Sequence, residues 1–185
     1  MRHIIHHTLY IIAFMLCLIG CKPNKPAAYR GFPQEYVLAY EEQYGRAYDS
    51  VPHCVVALDL YSEGLELDTE HRMKGTGYNL YLSDIFVPDR TGADSLRLVP
   101  GTYRSSNSAE PFTFLPGQDY EGTPHGMYVL YVEEGKLQTI QVLDSGTMVY
   151  AGDSLLFTLY YCDSNGTNTT YTTRFKGTLI PWLKQ

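Results

Sequence analysis

The 185-residue chain has no run of lysines and arginines: 14 basic residues are set against 20 acidic ones, giving a formal charge of −6. Nucleic-acid binding therefore lacks its electrostatic footprint, and the thinly spread acidity serves solubility. Histidine is scarce beyond the N-terminal segment, where only His53, His71 and His125 occur. None stands in an HExxH spacing or beside a GxSxG serine. His53 and Cys54 are neighbours, and in a strand neighbours point to opposite faces, which argues against a thiolate–imidazole pair. No CxxC or Cys/His spacing suggests zinc, and no cofactor signature is present. Strand–helix alternation is missing, which excludes a parallel α/β sheet. Tryptophan occurs once, against 17 tyrosines.

One long apolar run is present, and it lies at the start. Leu9 to Ile19 follows a segment with a single formal charge, Arg2. It has the length of a signal-peptide core and is too short to span a bilayer comfortably. Leu18-Ile19-Gly20-Cys21 closes it and resembles the processing site of a bacterial lipoprotein, with a small residue before an acceptor thiol. The resemblance implies cleavage after Gly20, lipidation of Cys21 with palmitate-type chains, and attachment to a membrane. A diacylglycerol plus an amide-linked acyl chain would hold firmly where one chain binds only marginally. Lys22 rather than aspartate follows the cysteine and points to the outer membrane, with periplasmic and cell-surface orientations both open. Residues 1–20 are thus expected as signal peptide and 21–28, with Pro23 and Pro26, as a tether.

Residues 29–50 form a lead-in with two readings. Tyr36, Val37, Tyr40 and Tyr44 recur at helical spacing, with Glu35, Glu41 and Glu42 between them, Pro33 ahead and Gly45 as a stop. The same stretch could instead lie extended against a sheet. Residues 51–185 read as one antiparallel β domain. Strands are expected at 54–61, 78–83, 96–99, 102–103, 112–115, 127–132, 137–143, 147–150, 155–162, 169–175 and 177–180. Pro100-Gly101 and Pro116-Gly117 have the form of type II turns, and Asn165-Gly166 that of a hairpin turn. The run 155–162 is the longest and is expected to be central. Many short strands at turn-punctuated spacing imply a β-sandwich, with a calycin-like barrel as the alternative. Cys54 and Cys162 sit in or at the end of predicted strands. An oxidising compartment permits a bridge between them, and two unbonded thiols acting as small hydrophobes are the other reading.

Gly75-Thr76-Gly77-Tyr78-Asn79-Leu80-Tyr81-Leu82, Leu98-Val99-Pro100-Gly101-Thr102-Tyr103 and Ser145-Gly146-Thr147-Met148-Val149-Tyr150 are the most informative segments. With Asp163-Ser164-Asn165-Gly166 and Phe175-Lys176-Gly177-Thr178-Leu179 they resemble a recurrent all-β domain of Bacteroidetes envelope lipoproteins of unknown function. The resemblance covers about 44–180. It implies an antiparallel domain displayed on the envelope and brings no catalytic residues with it. Asp-Ser-aliphatic triplets at Ser50, Ser95 and Ser154 look like acceptor sites of Bacteroidetes O-glycosylation, although Asp-Ser before an apolar residue is also how a turn enters a strand.

Candidate chemistry is weighed against simpler roles. Asp119, Glu121, Glu133 and Glu134 could supply paired carboxylates, but acids at these places form turns. Asp163-Ser164-Asn165-Gly166-Thr167 begins like a calcium loop and lacks the closing glutamate, so a hairpin turn accounts for it. The tyrosine excess is the better lead. Most such rings fill cross-strand pairs, yet alternation sends some outward, and a ring with a polar tip suits recognition surfaces. The expected function is a lipid-anchored, non-catalytic binding or scaffold module with a glycan or protein ligand. An accessory subunit of a fimbria or uptake complex is the alternative, and a hydrolase is a third reading.

Overall fold

The computed structural model describes residues 31–48, 53–89 and 96–182. The expected signal peptide and tether, with Cys21, and the candidate acceptor serines Ser50 and Ser95 lie outside those residues. No helix occurs among the described residues. In chain order the strands are β1 (Glu35–Tyr36), β2 (Leu38–Gly45), β3 (Cys54–Tyr61), β4 (Leu65–Leu67), β5 (Met73–Gly75), β6 (Gly77–Val87), β7 (Gly101–Ser105), β8 (Thr113–Phe114), β9 (Gln118–Tyr120), β10 (Thr123–His125), β11 (Met127–Glu133), β12 (Lys136–Val142), β13 (Ser145–Tyr150), β14 (Ser154–Cys162), β15 (Asn168–Lys176) and β16 (Ile180–Trp182).

Twelve of these strands build one sheet in the order β1-β15-β14-β13-β7-β8-β6-β3-β2-β16, with β11 on β6 and β12 on β11. The sheet curls into a half-barrel. The hairpins β4–β5 and β9–β10 stand apart from it. The expected antiparallel sheet is in fact mixed: β1 runs parallel to β15, β7 to β8, and β16 to β2. All three are short pairings made by chain that returns from elsewhere in the fold, which a tight hairpin cannot supply.

Of the two readings of the lead-in, the extended one is observed. Tyr36 pairs with Phe175 of β15, and two residues later Leu38 pairs with Tyr61 of β3. A helix would forfeit both sets of backbone partners, and tyrosine is at home in strands. Only Val37 separates β1 from β2, so one continuous segment joins the two flanks of the sheet. Glu41 and Glu42, which the helical reading sets between the tyrosines, are both buried.

Period-two burial organises the far flank. Leu155, Phe157, Leu159 and Tyr161 of β14 point into the core beside Tyr171 and Phe175 of β15, Met148 of β13 and Tyr103 of β7. Leu156 and Tyr160 face outward, so β14, which lies between β15 and β13, is covered on one face only. Strand β3 is covered on both, and all eight of its residues are buried. Its second face packs through Tyr61 against Leu65 and Val132, with Leu67 and Met73 of the β4–β5 hairpin also against this cluster.

Residues 96–99 are not a strand. Their place is set by Glu41, which accepts a hydrogen bond from Leu98 N–H and pairs with Arg97 at 3.1 Å. The Tyr103 hydroxyl donates to Val99 O at 2.9 Å. The two Pro-Gly pairs also differ from expectation, because neither Gly101 nor Gly117 has a positive φ. A side chain at 117 would put Cβ 2.2 Å from Met127 O and 2.6 Å from Leu143 O, so glycine is there to let three backbones meet. Gly117→Ala is expected to cost about 2 kcal/mol, the scale of an overpacked core. Urea unfolding checks it; an unchanged midpoint would mean that the strands part without strain.

Cys54 and Cys162 are free thiols, the first buried in β3 and the second exposed at the end of β14, so the bridged reading is not observed. Strands β13, β7, β8 and β6 lie between those two in the sheet order. Burial, followed by the Asp89 charge, pushes the Cys54 thiol up, which suits an inert hydrophobe.

Strand β6 positions the site described next. One of its edges pairs with β3, and the other is divided between β11, over Gly77 to Leu82, and β8, over Ile85 and Phe86. Between the two partners the register against β3 shifts, so that Ala57 faces both Ser83 and Asp84. This is a β-bulge, and Asp84 occupies it with φ 51°.

Candidate functional site

The second face of β2, β3, β6 and β11 carries a band of tyrosines over buried carboxylates. Cross-strand register places Tyr40, Asp59, Tyr81 and Tyr128 in one row, and Leu38, Tyr61, Asn79 and Leu130 in the next. Asp59 and Tyr61 share a face because they are two residues apart. The Tyr61 hydroxyl donates to Asp59 Oδ2, and Asn79 Nδ2 donates to Asp59 Oδ1 and to Leu60 O at 3.1 Å. A second carboxylate, Glu42, accepts from the Tyr44 hydroxyl. Residual exposure is only 7% for Asp59 and 8% for Glu42.

Burial in this setting reshapes proton affinity. Loss of water raises the Asp59 carboxyl to about 6, partly offset by the hydrogen bonds from Tyr61 and Asn79 and reinforced by the Glu42 charge. Burial is also the leading cause for Tyr128, pushed up to about 12 with help from Asp59 and Glu42. Tyr81 rises well beyond the usual phenol range, from burial first and then from its hydrogen bond with Tyr44.

The rings are ordered by mutual contact. Tyr81 and Tyr128 lie 5.3 Å apart at 31°. Tyr40 stands edge-on to Tyr61 at 6.0 Å and to Trp182 at 5.3 Å. Trp182 in turn packs on His71 at 4.6 Å. The sole tryptophan therefore touches the tyrosine band through Tyr40.

Where this face leaves the cover of the β4–β5 hairpin, it opens into a cavity of about 250 Å³ lined by Tyr44, Ala47, Tyr48, Val55, Ser83 and Asp84. Tyr44 and Tyr48 are exposed. The Tyr48 hydroxyl donates to Asp84 Oδ1, and Ser83 Oγ donates to Asp84 Oδ2 at 2.8 Å. The Asp84 hydrogen bond, followed by burial, pushes Tyr48 up to about 12. Asp84 is thus the bulge residue held in a left-handed conformation and also a carboxylate presented to the cavity. Arg46, at the same end of β2, is engaged by Asp89 at 2.6 Å. The arrangement offers apolar ring surface, hydrogen-bond acceptors and a negative field, which suits polyhydroxylated or cationic ligands and disfavours anions.

The residues singled out from sequence lie elsewhere. Asp119 accepts from Gly122 N–H at 2.8 Å, and Glu121 and Glu134 have φ of 53° and 50°, so these acids shape turns. Glu133 ends β11 and is exposed. Asp163 Oδ1 caps its turn through Asn165 and Thr167 N–H, as a hairpin requires. His71 packs on Trp182, His125 lies 5.2 Å from Tyr120, and His53 precedes β3. Ser154 opens β14, half-buried, with its hydroxyl on Asp153 at 3.1 Å.

Glu42, Asp59, Asn79 and Asp84 were missed. One signal was available: Asp59 is the only charged residue in Cys54-Val55-Val56-Ala57-Leu58-Asp59-Leu60-Tyr61. A lone acid in a strand of that kind has to be neutralised, hydrogen-bonded or functional. Comparison with protein-family models, curated proteins and solved structures returned no match.

Proposed function

We propose that the chain is an outer-membrane lipoprotein, anchored through Cys21, whose β domain is a non-catalytic binding module for a glycan or protein ligand. The observation that carries this reading is the cavity beside β6, where the exposed rings of Tyr44 and Tyr48 stand over the Asp84 carboxylate. Ligand sites combine apolar walls with a few placed polar groups in this way, and a strained non-glycine residue in the wall is a common mark of function. Of the two architectures, the barrel has the better support, because β1 and β2 pair at opposite flanks with Val37 alone between them. Residues of the Bacteroidetes-like segments contribute Asn79 and Tyr81 to the tyrosine band.

Screening the chain on glycan and peptide arrays tests the reading, with Trp182 fluorescence as the solution measurement. Tyr44→Ala and Tyr48→Ala are each expected to weaken the ligand found by about tenfold, the loss of one aromatic contact of 1–2 kcal/mol. The unfolding midpoint of Tyr48→Ala should stay near that of the parent, whereas Tyr44→Ala also takes a donor from the buried Glu42 carboxylate and is expected to lower it. Ligand affinity unchanged in both variants would move the site elsewhere. For the anchor, Cys21→Ala is expected to abolish labelling by radioactive palmitate and release the chain from the membrane fraction; persistence of label would reject lipidation at that thiol.

An accessory role in a surface assembly is favoured by a different observation. Among the described residues strand β12 pairs only with β11, and Leu137 and Ile140 on it are exposed. An open edge of this length can accept a strand from a partner, although Lys136 and the register shift opposite Tyr131 and Val132 blunt it.

A further inference from the structure

Resting on the binding-module reading, we infer that the cavity between Tyr44 and Tyr48 takes an organic ammonium group, seated on the Asp84 carboxylate. The shared chemistry is a compact amine, brought either by an amino sugar or by a lysine side chain of a peptide.

Three features converge on this class of ligand. First, Asp84 is a carboxylate whose partners are hydroxyls: Tyr48 on one oxygen and Ser83 on the other. Each oxygen keeps a lone pair for a further donor. Among the described residues no lysine, arginine or histidine forms an ion pair with it, and the cation at this end of β2, Arg46, is held by Asp89. The charge is therefore uncompensated by protein.

Second, the walls are aromatic. Tyr44 and Tyr48 both line the cavity, and both hydroxyls donate to carboxylates, Tyr44 to Glu42 and Tyr48 to Asp84. Donation of this kind enriches the ring faces in electron density, and electron-rich faces attract cations. Val55, buried on β3, adds an apolar floor that keeps the interaction from being dissipated in water. A neutral hydroxyl would use the acceptors and leave the field unused; a uronate or sulfate would meet Asp84 as a like charge.

Third, the backbone presents the acid. Asp84 sits at φ 51° in the bulge where β6 changes partner from β11 to β8. A bulge re-aims a side chain that regular pairing would place elsewhere. Asparagine tolerates the same left-handed backbone and has the same shape, so the carboxylate can be neutralised without disturbing the bulge.

Calorimetric titration of the full chain in detergent tests the assignment. The probes are tetramethylammonium, a glucosamine oligomer, the same oligomer N-acetylated, a lysine-containing peptide and its acetyl-lysine form. The free amine of one source is expected to bind at least tenfold more tightly than its acetylated form, and added salt should reduce that preference. Asp84→Asn is expected to erase the preference while leaving the unfolding midpoint in place. Whether the oligomer or the peptide wins identifies the source. Equal affinity for amine and acetylated forms, or a preference that survives in Asp84→Asn, overturns the ammonium assignment. The binding-module reading still stands in that case if Tyr44→Ala weakens whatever does bind, and silence from every glycan and peptide overturns both.

Discussion

Glu41→Ala is expected to lower the stability of the domain by about 2–4 kcal/mol, the cost of an unpaired Leu98 N–H in the core together with the space vacated by a buried side chain. Glu41 is 1% exposed and reaches out of β2 toward residues 56 and 57 positions away. Its carboxylate accepts from the Leu98 backbone and from Arg97 Nε, and Arg97 also approaches Leu179 O at 3.5 Å. Alanine would leave the Leu98 N–H without an acceptor inside the core and release a segment whose Leu98 side chain packs there. Melting should fall by about 10 °C for a domain of this size. Glu41→Gln should recover about half of the loss, since an amide oxygen can still accept from Leu98 while Arg97 is partly solvated. Calorimetry on the pair of variants decides it: a loss below about 1 kcal/mol for alanine would show that the 96–99 segment is held by Tyr103 instead.

Asp59→Asn is expected to do the reverse above neutral pH. The folded carboxyl titrates near 6, against an ordinary value of 3.8. Between those two values the folded protein holds a proton that the unfolded chain has released, so stability falls as pH rises through the window. Well above pH 6 the ionised group costs the fold about 3 kcal/mol relative to the fully protonated protein, at 1.36 kcal/mol per unit, and about 2 kcal/mol of this develops between pH 4 and pH 6. Asparagine keeps an acceptor for Asn79 and can donate its amide to the Tyr61 oxygen. The variant should therefore gain about 1–3 kcal/mol at pH 7.5, gain little at pH 4, and flatten the slope between. Urea unfolding at both pH values measures this. A parent protein whose stability does not decline from pH 4 to pH 6.5 would mean that Asp59 is already ionised at the lower value.

These two acids also show where the sequence could be read and where it could not. Local rules placed β3, β11, β14 and β15 nearly residue for residue, because apolar alternation and turn residues such as Asn165-Gly166 act over a few positions. The lead-in left them undecided: the tyrosine spacing of 36–44 suits a helix as well as an extended segment, and partners at Tyr61 and Phe175 make it a strand. Leu96-Arg97-Leu98-Val99 has the composition of a strand, and a carboxylate more than fifty residues earlier holds it as a loop. The tyrosine excess is legible in the sequence, and part of it gathers as a band on one face of β2, β3, β6 and β11. Which tyrosines matter depends on the bulge at Asp84 and on the hairpin covering Tyr61, and neither is encoded by spacing.

The segment joining the flanks also constrains the order of events in time. The ion pair of Glu35 with Arg174 closes a separation of 139 residues, and β2 receives its outer neighbour only from Ile180–Trp182. Contacts so distant along the chain form late and slowly. A chain delivered from its N-terminal side presents β1 and β2 long before Arg174, Phe175 and Ile180–Trp182, so both strands wait unpaired on those edges until those residues arrive.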